Sequence, residues 1–116
     1  MKWSPTGPGT PNLNRPRRVA TASYDTTVKI WDPETGQNLH SLTKQTDSVF
    51  AIEFDGTGEF LLSGSFDGFV NVWNVDTGNL IKSIKVGSGV FDVSWNIRGD
   101  KFAAALADHT IVVMDF

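Results

Sequence analysis

The sequence predicts an all-β fold: antiparallel four-stranded blades of a β-propeller, incomplete at about two and three-quarter blades. Three observations carry this. The segments VATASYDTTVKIWD (Val19–Asp32), LLSGSFDGFVNVWN (Leu61–Asn74) and FAAALADHTIVVMD (Phe102–Asp115) align without gaps. Their shared aspartates, Asp25, Asp67 and Asp108, stand 42 and 41 residues apart, the period of a four-stranded blade. Short β-rich runs alternate with turn formers, and no stretch carries a helical period.

The elements follow in order. Met1-Lys2-Trp3 opens the first unit inside its first strand, because Trp3 aligns with Phe54 and Trp95. An insertion over 5–18 comes next. From Trp3 to Val19 is 16 positions, where Phe54 to Leu61 takes seven. Its Pro and Gly density predicts an exposed irregular loop. In the middle unit, strands are expected at about 48–54, 60–65, 69–74 and 79–84. The intervening turns are Asp55–Gly58, Phe66–Gly68 and Val75–Gly78, and the flank Asp32–Gly36 matches Asn74–Gly78. The chain thus reads as one partial propeller over 1–116, with units at about 1–43, 48–84 and 89–116. The last unit stops after its third strand. A repeat array buries each face against a neighbour. Open end faces and an unpaired strand therefore predict that the isolated chain is marginal, self-associating or folded only with a partner.

Composition excludes several functions. Hydrophobic residues make up 40% and charged residues 20%, which suits a globular chain. The net charge of -3 does not favour phosphate backbones, so no direct sequence-specific nucleic-acid binding is expected. With no cysteine, a disulfide framework and thiolate metal sites are out, and an intracellular setting is favoured. Apolar runs such as Phe102–Ala107 are strand-sized, so no membrane partner is expected, and the N-terminus lacks a secretory apolar core.

No catalytic, cofactor or metal site is expected. Ser23 and Ser65, with His40, His109 and the aspartates, could be read as hydrolase parts. The Ser–Asp pair recurs once per repeat, as structure does, and neither histidine sits in a nucleophile elbow or metal-binding spacing. Gly56-Thr57-Gly58 and Gly87-Ser88-Gly89 precede strands, which rules out a phosphate loop opening a helix. Arg15-Pro16-Arg17-Arg18 is a small basic run, read as a solvated loop ahead of a localisation or phosphate patch.

Trp31-Asp32 and Trp73-Asn74, each closing a third strand, give these units the resemblance of WD repeats. In that family the Trp bonds a Ser/Thr on the second strand. A His before the first strand continues the chain to the turn aspartate. The resemblance implies Ser23, Asp25 and Trp31 in the first unit, and Ser65, Asp67 and Trp73 in the second. The family's Gly-His is absent, and Gln45 stands in its place. The third unit has Leu106 and Met114 for the Ser and Trp, so only Asp108 of the implied network survives.

A narrower resemblance rests on MKWSPTGPGT, SYDTTVKIWD, GSFDGFVNVWN and FDVSWNIRGDK. These resemble the C-terminal end of the propeller in the transducin-beta-like protein 1 family, over essentially the whole chain. The resemblance implies a nuclear protein-interaction scaffold. Its implied role is a corepressor and coactivator exchange subunit of a histone deacetylase complex. Corepressor and deacetylase subunits are the implied partners, with histone tails as further candidates. A substrate-recognition subunit of a ubiquitin ligase and a cytoplasmic G-protein-β-like scaffold are the alternatives. The family pattern puts partner contacts on one end face, around Tyr24, Ser48, Phe50, Phe66 and Phe91, with Gly89 and Ala107 beside them. Aromatic rings at turns on an open end are expected to be covered by a docked partner. Packing between adjacent blades is the competing explanation for all four rings, more so for Phe50 and Phe91, which lie within strands, than for Tyr24 and Phe66 at the turns.

Overall fold

The computed structural model describes residues 1–116 and contains only strands and loops. Eleven strands form three antiparallel sheets. The first holds β1 (Lys2–Trp3), β2 (Val19–Ala22), β3 (Val28–Trp31) and β4 (Asn38–Leu42). The second holds β5 (Val49–Phe54), β6 (Phe60–Ser65), β7 (Phe69–Asn74) and β8 (Leu80–Lys85). The third has β9 (Val90–Trp95), β10 (Lys101–Leu106) and β11 (Ile111–Asp115), and no fourth strand. The all-β, open-propeller expectation holds, and the middle strands fall within a residue of their expected bounds.

The core lies between sheets. Ala20, Val28, Ile30 and Leu42 of the first sheet meet Val49, Ile52, Phe54, Leu61 and Trp73 of the second. On the second sheet's other face, Leu62, Val70 and Val72 meet Val90, Val93, Phe102, Ala104 and Met114 of the third. Central strands β6 and β7 are buried almost throughout, whereas β8 and β11 are mostly exposed. Gly64 permits the second contact. A Cβ there would lie 2.3 Å from Val90 Cγ1, so only glycine lets these sheets approach so closely.

The three β2–β3-type turns share one geometry. In each, the aspartate accepts a hydrogen bond from the backbone N–H two residues on. Thr27 donates to Asp25, Phe69 to Asp67 and Thr110 to Asp108. The intervening residue is left-handed in all three: Thr26 at φ 78°, Gly68 at 86° and His109 at 70°. An aspartate side chain standing in for a backbone acceptor explains why this residue recurs even in the third unit.

The insertion corrects the expectation of a wholly exposed loop. It forms no strand, but Thr6 and Gly7 are buried, as is Ser4 just before it. Thr6 Oγ1 donates to the Pro16 carbonyl at 2.8 Å, and Arg18 N–H donates to Ser4 Oγ at 2.8 Å. Asn12 Nδ2 reaches the carbonyls of Pro5 and Gly56 at 2.7 and 2.9 Å. The loop thus lies against the β5–β6 turn, and its buried polar groups are paired because an unpaired one would be costly. Of the basic run, Arg15 pairs with Asp76 at 3.0 Å, while Arg17 and Arg18 make no ion pair.

Phe116 lies beside Phe60 and Trp95, with ring centroids 4.9 and 5.3 Å away. Its N–H also donates to the Asp100 carbonyl at 2.9 Å. It therefore staples the third sheet to the second. Phe116→Ala should lower stability by about 1–2 kcal/mol, since each aromatic pair contributes about 0.5–1.5 kcal/mol. Urea unfolding followed by Trp fluorescence checks this, and an unchanged midpoint would contradict it.

Candidate partner-binding face and its supporting network

The indole network is present, but through other residues than those expected. Trp31 Nε1 donates to Thr21 Oγ1 at 3.0 Å, and Trp73 Nε1 donates to Ser63 Oγ at 2.9 Å. Ser23 and Ser65 do not hold the indoles. The reason is register. Trp31 pairs with Val19 and Trp73 with Leu61. The residue two further along, Thr21 or Ser63, is on the same face and within diagonal reach. Ser23 and Ser65 are four along and out of reach. Counting cross-strand register back from each Trp would have found Thr21 and Ser63.

Ser23 and Ser65 brace the turns instead. Each hydroxyl oxygen accepts the turn aspartate's N–H, from Asp25 at 3.1 Å and Asp67 at 3.3 Å. Ser65 Oγ also donates to the Asp47 carbonyl at 3.1 Å. Neither serine bonds a histidine. His40 Nε2 lies 2.9 Å from the Asp76 carbonyl, and His109 occupies an exposed turn. Hydrogen bonds from the Thr27 hydroxyl and N–H hold the exposed Asp25 carboxyl below its ordinary 3.8. At the chain's other end, the Lys101 ammonium does the same for Asp115.

Gln45 extends the middle network. It is 3% exposed and its Nε2 donates to Ser63 Oγ at 2.9 Å. It does not continue to Asp67. Thr46 takes that step, with its N–H and hydroxyl donating to Asp67 Oδ2 at 2.9 and 3.2 Å. In the third unit Ala104 and Met114 occupy the Ser63 and Trp73 positions and pack into the second core. Asp108 serves only its turn there, with bonds from Thr110.

The expected face residues come together. Phe50 is central: its ring centroid lies 5.5 Å from Tyr24, 5.6 Å from Phe66 and 5.7 Å from Phe91. Phe66 and Phe91 are 5.8 Å apart. The four rings are 75%, 40%, 44% and 52% exposed for Tyr24, Phe50, Phe66 and Phe91, so they form one surface cluster. Packing between blades therefore does not bury Phe50 or Phe91. Gly89 makes room for Phe66, because a Cβ there would lie 2.4 Å from the Phe66 ring. Ser48 sits half-buried beside Phe50, and its carbonyl accepts the Phe66 N–H at 2.9 Å. Ala107 is also half-buried, its N–H donating to the Gly89 carbonyl at 2.7 Å.

Sheets stacked face to face, indoles tied to the second strand and an open aromatic end define a WD-repeat scaffold. The chain belongs to the WD domain, G-beta repeat family, whose pattern matches residues 1–32 and 36–74. The third unit, which lacks the indole and its acceptor, lies outside that match. Among relatives, it is 45% identical over 91% of its length to the mouse F-box-like/WD repeat-containing protein TBL1X. It is 41% identical over 95% of its length to the WD40 repeat-containing protein HOS15 of Arabidopsis thaliana. Human Striatin-3 is more distant, at 31% over 76% of this chain and 12% of its own length. The narrower resemblance to the transducin-beta-like protein 1 family is met by these matches. The chain spans about a fifth of the first two relatives, 20% and 18% of their lengths.

Ser63 accepts from two buried donors, so Ser63→Ala should cost more than Thr21→Ala, whose indole is half-exposed. We expect about 2–4 kcal/mol for Ser63→Ala and under about 1.5 kcal/mol for Thr21→Ala, from the cost of stranding buried donors. Equal losses in chemical denaturation would refute this ranking.

Proposed function

We propose that this chain is part of a propeller's protein-docking face, and that the cluster of Tyr24, Phe50, Phe66 and Phe91 is its contact surface. The observation that carries this is the clustering of four exposed rings on one end of the blades. Water-exposed aromatic area is unfavourable, and rigid rings give up little entropy when a partner covers them. Ser48 contributes a polar edge. The surrounding Ser23, Asp25, Ser65, Asp67 and Asp108 hold the turns that present the rings, while Trp31, Trp73 and Gln45 anchor the blades beneath.

The partners we favour are proteins of a corepressor and histone deacetylase assembly, with histone tails as further candidates. Likeness to F-box-like/WD repeat-containing protein TBL1X supports this reading. The nucleus is the corresponding setting, with the cytoplasm as alternative. A second reading, substrate recognition for a ubiquitin ligase, draws support from the F-box-like name of the same relatives. Affinity purification separates them, since deacetylase subunits would co-purify under the first and cullin subunits under the second.

Tyr24→Ala and Phe50→Ala should each reduce pull-down of corepressor fragments and histone-tail peptides at least tenfold, with strand circular dichroism unchanged. Retention by both variants at the original level would sink the proposal.

We also propose that the 116-residue chain self-associates on its own. Trp3 on the first sheet, and Ile111 and Val113 on the third, are 61%, 75% and 65% exposed. β11 offers an unpaired edge as well. Sedimentation should show mass rising with concentration. A monomer with a sharp, concentration-independent melting transition would contradict this.

A further inference from the structure

Given the self-association proposed above, on which this inference rests, we propose that two copies join head to tail. The outer face of the third sheet in one copy takes the outer face of the first sheet in the next, with Trp3 as the anchor.

The molecule already contains this joint twice. The first sheet gives Ala20, Val28, Ile30 and Leu42 to the second, and the second gives Leu62, Val70 and Val72 to the third. The third sheet has Ala103, Ile111 and Val113 at the positions of Leu62, Val70 and Val72. The pairings agree, since Val72 stands opposite Leu62 and Val113 opposite Ala103. Yet Ile111 and Val113 are 75% and 65% exposed, where Val70 and Val72 are fully buried. This apolar face is built like the two that meet a following sheet. On the receiving side, the cross-strand row Trp95–Phe102–Met114 packs on the second core. The corresponding row of the first sheet is Trp3–Val19–Trp31, and Trp3 is 61% exposed.

The indoles fix the register. Trp95 Nε1 crosses to the preceding sheet and donates to the Glu53 carbonyl at 3.2 Å. Trp31 and Trp73 donate within their own sheets. Trp3, the remaining one of the four, has no partner for its indole N–H. Ser94 stands opposite Ala103 as Glu53 stands opposite Leu62. Moving the Trp95 contact by one repeat therefore brings Trp3 of one copy to the Ser94 carbonyl of the other. A cavity of 250 Å³ lies there, with Ser94, Ala103 and Val113 in its lining.

Charge complements this fit. Lys29 lies over Trp31 on the first sheet's outer face, and Asp92 lines a hollow with Ala105 and Ile111 on the third sheet's. Neither makes an ion pair within the chain. A second copy is the occupant because each chain carries both halves of the joint. The two halves differ, so the contact is heterologous.

The test uses the whole chain in sedimentation, with strand circular dichroism as the check on folding. Trp3→Ala and Ala103→Glu should each weaken association at least tenfold. Trp3→Phe keeps a ring and loses the N–H, and should weaken it about two- to tenfold, the worth of one neutral hydrogen bond. An equimolar mixture of Trp3→Ala and Ala103→Glu retains one intact joint, so it should form a dimer that grows no further. A wild-type chain that stays monomeric overturns this joint together with the self-association beneath it. Association that persists in Trp3→Ala, as pairing along the β11 edge would, overturns the joint alone. So does a mixture that forms no dimer. Loss of strand circular dichroism in both Trp3 variants would make Trp3 part of the first blade's own packing, and overturns the joint as well.

Discussion

A twisted sheet of three or four strands has two faces and cannot cover either with its own side chains. Every other feature of this molecule depends on stacking one sheet upon the next. The middle sheet shows the constraint most fully. Leu61 and Trp73 point to the first sheet, and Leu62, Val70 and Val72 point to the third. Both of its faces bury apolar residues against a neighbour, with Ser63, Ser65 and Asn71 as buried polar exceptions in the central strands. The outer strand β8 is mostly exposed, and Ile84 alone among its residues packs against the second core. The glycine at 64 follows from the same demand, because the sheets come too close there for any side chain.

Stacking explains which repeated residues can be lost. The indole bond to Thr21 or Ser63 satisfies a donor that exists only because a Trp is present. When the third unit replaces that Trp with Met114 and the acceptor with Ala104, no polar group is stranded, and packing alone suffices. The turn aspartate is different. Its acceptor is needed by a backbone N–H that every unit has. Asp108 therefore persists where the rest of the network has gone, because the two recurring features answer separate physical demands.

Much of this was legible in the chain itself. Period, turn chemistry and β-rich runs located the strands, since these are local properties. The aromatic cluster was legible only through the family resemblance, which implied that these positions of successive units share one end face. Three things were not. The indole acceptors depend on cross-strand register, which moved the bond from Ser23 and Ser65 to Thr21 and Ser63. The burial of Ser4 and Thr6 depends on a loop folding back onto a distant turn, which composition cannot show. Asn71 is also invisible to pattern, because a polar residue in a strand normally implies an exposed position.

The aromatic face is a consequence of the same stacking, and this bears on how it can work. Tyr24 comes from the first unit, Phe50 and Phe66 from the second, and Phe91 from the third. No single blade contains the cluster. Phe50 touches rings of all three, so its position is set by two interfaces between sheets, not by its own strand. A partner covering these rings would bind three sheets at once and resist their separation, which links docking to stability. By the same linkage, any loosening of the sheets would disperse the rings before it unfolded a blade. The face is therefore a property of the array, and its affinity should follow the integrity of the packing beneath it as closely as the identity of the rings.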